Sequence, residues 1–112
     1  MIVCCPPELV QECRSFLSDN FFRAFTDESR LGVFLVLMEN GEMTVNQVAE
    51  QMDINQSNVS RHLTLLKQAG VTQARKSGRE IYYQIDYQNI AQRLQSILSI
   101  VQQCCPTTPE EN

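Results

Sequence analysis

Between Asn55 and Gly70 the apolar residues Val59, Leu63 and Leu66 recur at helical intervals, which leaves Ser57, Asn58, Ser60, Arg61 and His62 to project elsewhere. The spacing predicts a helix whose first turns are crowded with short polar side chains. Ser57 or Asn55 can cap its start, and Gly70, following Ala69, offers the left-handed residue wanted just past a helix end. Upstream, Thr44 to Met52 carries capping-box spacing, Thr44 with Gln47, and places Val48 and Met52 on one face. The short link Asp53, Ile54, Asn55 then predicts two helices joined by a tight turn. After Gly70 the period shortens. Val71 to Ala74 reads as a short strand, Arg75, Lys76, Ser77, Gly78 and Arg79 as a turn, and Ile81 to Ile85 as the returning strand, with Tyr82 and Tyr83 on opposite faces. A helix pair followed by a hairpin is a winged helix-turn-helix, a mainly α fold with a small β-hairpin wing (α+β).

The flanking segments extend this pattern. Leu31, Phe34, Leu35 and Met38 predict an interior helix that forms core, and Leu9, Val10, Cys13, Phe16 and Leu17 predict an amphipathic first helix. In the last helix Ile90, Leu94, Ile97, Val101 and Cys104 step by four, three, four and three, the pattern of a two-helix seam. Both terminal stripes need partners, so a homodimer is expected. Residues 1–105 read as one winged helix-turn-helix and dimerisation domain, and residues 106–112 as a flexible tail.

Composition adds constraints rather than a function. A chain of 112 residues, 43% hydrophobic and without tryptophan, has a modest core of its own, which fits pairing with a second copy. No apolar run approaches the roughly 18 residues of a membrane span, and MIVCCPPELV lacks the basic head and apolar centre of a secretory signal. The expected setting is the cytoplasm, without a membrane partner, where thiols are normally reduced. Net charge is −4, yet Arg61, Lys67, Arg75, Lys76 and Arg79 face only Glu80 between positions 58 and 80. Screening confines charges to a range of about 8 Å, so a local cationic face still attracts phosphates.

A helix N-terminus fits the DNA major groove, while cations beside it grip the backbone. The expected base-reading set is Gln56, Ser57, Asn58, Ser60, Arg61 and His62, and the expected phosphate clamps are Arg75, Lys76 and Arg79. Ser57, Val59, Ser60, His62, Leu63, Leu66, Ala69 and Gly70, then Gly78, Arg79 and Tyr83, resemble the ArsR/SmtB group of bacterial winged-helix repressors. Phe25, Asp27, Arg30 and Leu31 resemble that family's stretch before its second helix, so the likeness covers about residues 20–100. The resemblance implies a homodimer packed through its first and last helices. It also implies a repressor that holds a double-stranded DNA operator without any cofactor and leaves it when an inducer binds or oxidises the protein.

The inducer chemistry rests on the cysteines. Cys4, Cys5 and Pro6 near one end echo Cys104, Cys105 and Pro106 near the other. If the terminal helices cross between subunits as the resemblance implies, these pairs approach one another in two symmetric thiol clusters. Three thiolates suit arsenite or antimonite, and four suit zinc or a cadmium-like soft divalent metal. Alternatively, oxidation or persulfide chemistry links different pairs in a disulfide, since a bridge between neighbours is strained. Cys13, on the apolar face of the first helix, reads as packing. Departures from the family narrow the choice. No cysteine lies between Thr44 and Gly70, no histidine follows Asp86, and the second-helix segment GVFLVLME has no thiol. An enzyme is not expected: cysteines two residues apart beside a strand-helix unit are missing, and the single histidine has no nucleophile arranged beside it.

Overall fold

The computed structural model describes residues 5–103. Its elements run α1 (Pro7–Leu17), α2 (Asn20–Arg23), α3 (Glu28–Asn40), β1 (Met43–Thr44), α4 (Val45–Met52), α5 (Gln56–Gln68), β2 (Thr72–Ser77), β3 (Glu80–Ile85) and α6 (Tyr87–Gln103). The strands form one antiparallel sheet in the order β1-β3-β2. Cys4, Cys104, Cys105 and the expected tail lie outside the described residues.

Local chemistry accounts for the helix-turn-helix. At the start of α4 the Gln47 amide N–H donates to Thr44 Oγ1 at 3.2 Å, while the Thr44 N–H donates to Gln47 Oε1 at 2.9 Å, completing the capping box. Asp53 turns the chain with a left-handed φ of 54°. Asn55 then caps α5 by accepting from the Ser57 N–H at 2.7 Å, which settles the choice between Asn55 and Ser57. At the far end Gly70, at φ 79°, donates to Lys67 O, and Val71 N–H donates to Leu66 O at 2.9 Å. Those two bonds are a Schellman stop, sealed by Leu66 and Val71, both fully buried.

The core gathers around α5. Val59, Leu63 and Leu66 share one buried cluster with Val33 and Leu37 of α3, Val48 of α4, and Tyr83 and Ile85 of β3. Phe21, Phe25 and Phe34 continue it in edge-to-face contacts at 5.7 and 5.2 Å between ring centres. Tyr83 is buried and Tyr82 only half so, as the alternation along the strand requires.

Two expectations change. The strand β2 runs on through Arg75, Lys76 and Ser77, which pair with Tyr82, Ile81 and Glu80, so the turn shrinks to Gly78 and Arg79. Gly78 takes φ 62° at the first turn position, where a two-residue hairpin of this kind favours glycine. On α3, the inward face carries Val33, Phe34 and Leu37, whereas Leu35 and Met38 point to solvent. The terminal stripes stay open in the single chain, as their need for a partner implies: α1 buries no residue, α6 buries only Ile100, and Val10, Leu17, Leu94, Leu98 and Val101 are exposed. An Arg93–Asp19 ion pair ties α6 to the segment after α1. Among the described residues, no helix is long and apolar enough to cross a membrane.

Gly70 is the most demanding position in this frame. A Cβ there would sit in a left-handed conformation and collide with Asn89 Nδ2. Gly70→Ala is expected to lower unfolding stability by roughly 1–3 kcal/mol, read from urea denaturation at fixed protein concentration. A loss under about 0.5 kcal/mol would show that the helix exit relaxes freely.

Candidate nucleic-acid interface

The inward anchoring of α5 decides which of its residues face out. Gln56, Ser57, Asn58, Ser60 and Arg61 are all exposed, and helical periodicity sets Ser57, Ser60 and Arg61 opposite the buried Val59, Leu63 and Leu66. No acidic side chain occupies the first turn. Its uncompensated amide dipoles therefore give the helix N-terminus a positive end suited to a phosphate. Thr64 belongs to the same outward face, four residues beyond Ser60, and its hydroxyl donates to Ser60 O at 2.8 Å. Sequence reasoning missed Thr64, although its spacing from Ser57 and Ser60 marks it.

His62 does not join this face. Only 4% of the residue is exposed, and its Nδ1 has no hydrogen-bond partner among the described residues. The expected base contact is corrected by geometry: three residues past Val59 and four before Leu66, position 62 falls on the core stripe. Burial pushes the imidazole pKa below its ordinary 6.5; the Asp27 carboxylate opposes this, while Arg61 and Arg30 reinforce it.

The wing separates its three cations. Arg75 grips Glu42, with Nε donating to Oε2 and Nη2 to Oε1, both at 2.7 Å, and its guanidinium lies 4.7 Å from the centre of the Tyr82 ring. Lys76 and Arg79 are exposed and make no ion pair among the described residues. Arg79 stands at the turn, beside a groove shared with Thr44, Val45 and Asn46 at the start of α4. Thus α5 and the wing present Arg61, Lys76 and Arg79 as cations without an ion pair among the described residues, with Arg75 neutralised.

The thiols are only partly described. Cys5, just ahead of α1, is disulfide-bonded, and Cys13 is a half-buried free thiol within α1. No cluster of histidine, cysteine and carboxylate groups that could hold a metal occurs among the described residues. The expected ligands Cys4, Cys104 and Cys105 lie outside them. A disulfide sulfur offers no thiolate, so Cys5 would have to be reduced before it could join a soft-metal site.

This arrangement agrees with what the chain is similar to. Residues 25–72 match a family model described as a helix-turn-helix domain. The chain is 36% identical over 80 residues to the uncharacterized HTH-type transcriptional regulator MJ1325 of Methanocaldococcus jannaschii, covering 71% of this chain and 85% of that protein. It is 39% identical over 64 residues to the arsenical resistance operon repressor of Escherichia coli, covering 57% of this chain and 55% of the relative. The match to the Escherichia coli protein thus spans little more than half its length. A solved homodimeric winged helix-turn-helix DNA-binding domain from Mycobacterium bovis, described as a possible ArsR-family regulator, superposes with a TM-score of 0.64 at 25% identity, over 90% of this chain and 89% of that one. The chain belongs to the ArsR/SmtB family of winged helix-turn-helix repressors.

Within this family member, the buried histidine has a measurable signature. Because its folded pKa lies below 6.5, the unfolded chain takes up a proton that the folded chain resists. Its destabilising effect is therefore missing above about pH 6.5 and grows as pH falls through that value toward the folded pKa. Urea midpoints at about pH 7.5 and pH 5.5 are expected to fall further apart in the wild type than in His62→Gln, at equal protomer concentration. Equal shifts in the two proteins would place the acid sensitivity elsewhere.

Proposed function

We propose that this protein is a homodimeric transcriptional repressor that binds a double-stranded DNA operator and is released from it by chemistry at its cysteine thiols. The carrying observation is the outward half of α5, where Gln56, Ser57, Asn58, Ser60 and Arg61 are exposed on a helix whose opposite face is withdrawn from water. Base edges are read by these side chains, while Lys76 and Arg79 contact phosphates. Arg75, engaged by Glu42, and His62, buried, are left out of the reading set. The dimer forms through the exposed apolar stripes of α1 and α6, and its setting is the cytoplasm.

The inducer in this reading is an arsenite-like metalloid or a soft metal ion held by Cys4, Cys5, Cys104 and Cys105. Two supports are the vicinal cysteine pairs and the similarity to an arsenical resistance repressor. A thiol-oxidation switch is a second reading, favoured by one observation: Cys5 is disulfide-bonded.

On an operator selected from random duplexes, Arg61→Ala is expected to weaken specific binding by roughly 1–3 kcal/mol. Lys76→Gln should instead flatten the salt dependence by about 0.9 per protomer while sequence preference stays. Unchanged affinity removes Arg61 from the readout, and an unaltered slope removes Lys76 from the backbone contacts.

Operator release distinguishes the inducers. Reduced protein on its operator is titrated with arsenite, cadmium and a polysulfide, and the series is repeated with Cys104 and Cys105 both changed to serine. Release by arsenite or cadmium that the double variant loses supports the metal reading. Release by polysulfide alone supports the redox reading, and a normal response in the double variant sinks both.

A further inference from the structure

We propose that Glu42 is a specificity-determining residue: it holds the Arg75 guanidinium off the DNA backbone and so limits sequence-independent binding by the wing. The inference rests on the DNA-binding reading above and adds a restraint built into the fold.

The sheet order explains how the two residues meet. With β3 between β1 and β2, Glu42 immediately precedes one edge strand and Arg75 lies on the other. The arginine side chain reaches over β3, above Tyr82, its own cross-strand partner, and ends on the carboxylate. Both carboxylate oxygens are engaged through two bonds of 2.7 Å from Nε and Nη2. That fork is also the geometry with which an arginine takes a phosphate, so the carboxylate occupies the donors DNA would use. The guanidinium hydrogen bond keeps the Glu42 carboxyl below its ordinary 4.5, hence ionised at neutral pH.

Exposure makes the restraint reversible in principle. The Arg75 side chain is 55% exposed and that of Glu42 28%, so solvent reaches both and neither is locked in a core. Exposed ion pairs add little to folding stability, and Glu42→Gln should fold as the wild type does. What changes is the charge that the wing offers. With Glu42 present, Arg75 contributes no net attraction beside Lys76 and Arg79; without it, a third cation can turn to the backbone. Each added phosphate contact raises affinity for any duplex alike, because counterion release carries no sequence information.

The test compares wild type, Glu42→Gln and the double variant Glu42→Gln with Arg75→Gln, each titrated with random duplex and with a selected operator between about 50 and 200 mM salt. Glu42→Gln is expected to steepen the slope of log affinity against log salt by about 0.9 per protomer. Affinity for random duplex should rise by up to about tenfold per protomer at about 0.1 M salt, and the ratio of operator to random binding should fall. The double variant should return to the wild-type slope. If the steeper slope persists there, loss of the Glu42 charge alone is responsible and the restraint on Arg75 is wrong. A Glu42→Gln slope equal to that of a wild type that does bind duplex overturns this proposal alone. A wild type that retains no duplex at about 50 mM salt overturns the DNA-binding reading with it.

Discussion

The burial of one stripe of α5 is the constraint on which the rest of the molecule depends. Val59, Leu63 and Leu66 are fully withdrawn from water, each worth roughly 1.5–3 kcal/mol of transfer free energy as an upper bound. Because a helix is stiff, anchoring that stripe sets the rotation of every other side chain on it. Ser57, Ser60 and Arg61 face outward because the opposite side of the helix is committed to the core it shares with α3 and α4. His62 shows the same constraint acting against residue type. An imidazole at that position must be buried, with its protonation disfavoured, because turning it outward would pull Val59 and Leu66 from the core.

The ends of α5 are held as firmly as its face. Asn55 stops it at one end and Gly70 at the other, and the exit is fastened to α6: Asn89 Nδ2 donates to Gly70 O at 2.6 Å, and the Asp86 N–H donates to Val71 O at 2.9 Å. Asp86 in turn accepts from the Asn89 N–H at 3.0 Å, which orders the first turn of α6. The start of α6 is thus bonded directly to the end of the outward-facing helix. A shift of α6 along its axis must either carry the end of α5 with it or break these bonds.

How much of this was legible in the sequence depended on whether the signal was local. Thr44 with Gln47, Asn55 and Gly70 act within a few residues of themselves, so the helix-turn-helix could be read directly, and the period of Val59, Leu63 and Leu66 gave its inward face. His62 was legible in the same spacing and was misplaced because a polar residue type outweighed its position. The segment from Leu31 to Met38 is apolar nearly all round, so periodicity could not choose between Leu37 inside and Met38 outside. Arg75 to Ser77 form a strand exposed along its length, where no alternation marks a buried face. The Arg75–Glu42 pair joins residues 33 apart in sequence and follows only from the strand order. The vicinal cysteines were visible in sequence, yet three of the four lie outside the described residues.

The stripes of α1 and α6 complete the physical picture. Leu94, Leu98 and Val101 recur at helical spacing on α6 and are each about half exposed, as are Val10 and Leu17 on α1. Apolar side chains repeating along two whole helices form a continuous surface, and continuous apolar surfaces on small proteins mark sites of association. In the proposed dimer, a second copy covers these stripes, and α6 then has two attachments: the partner along its length and Gly70 with Val71 at its start. A rearrangement of the dimer seam would therefore reach α5 through a single helix and two hydrogen bonds. The spacing between the two outward faces of α5, which must match successive major grooves, is the quantity that such a shift would alter.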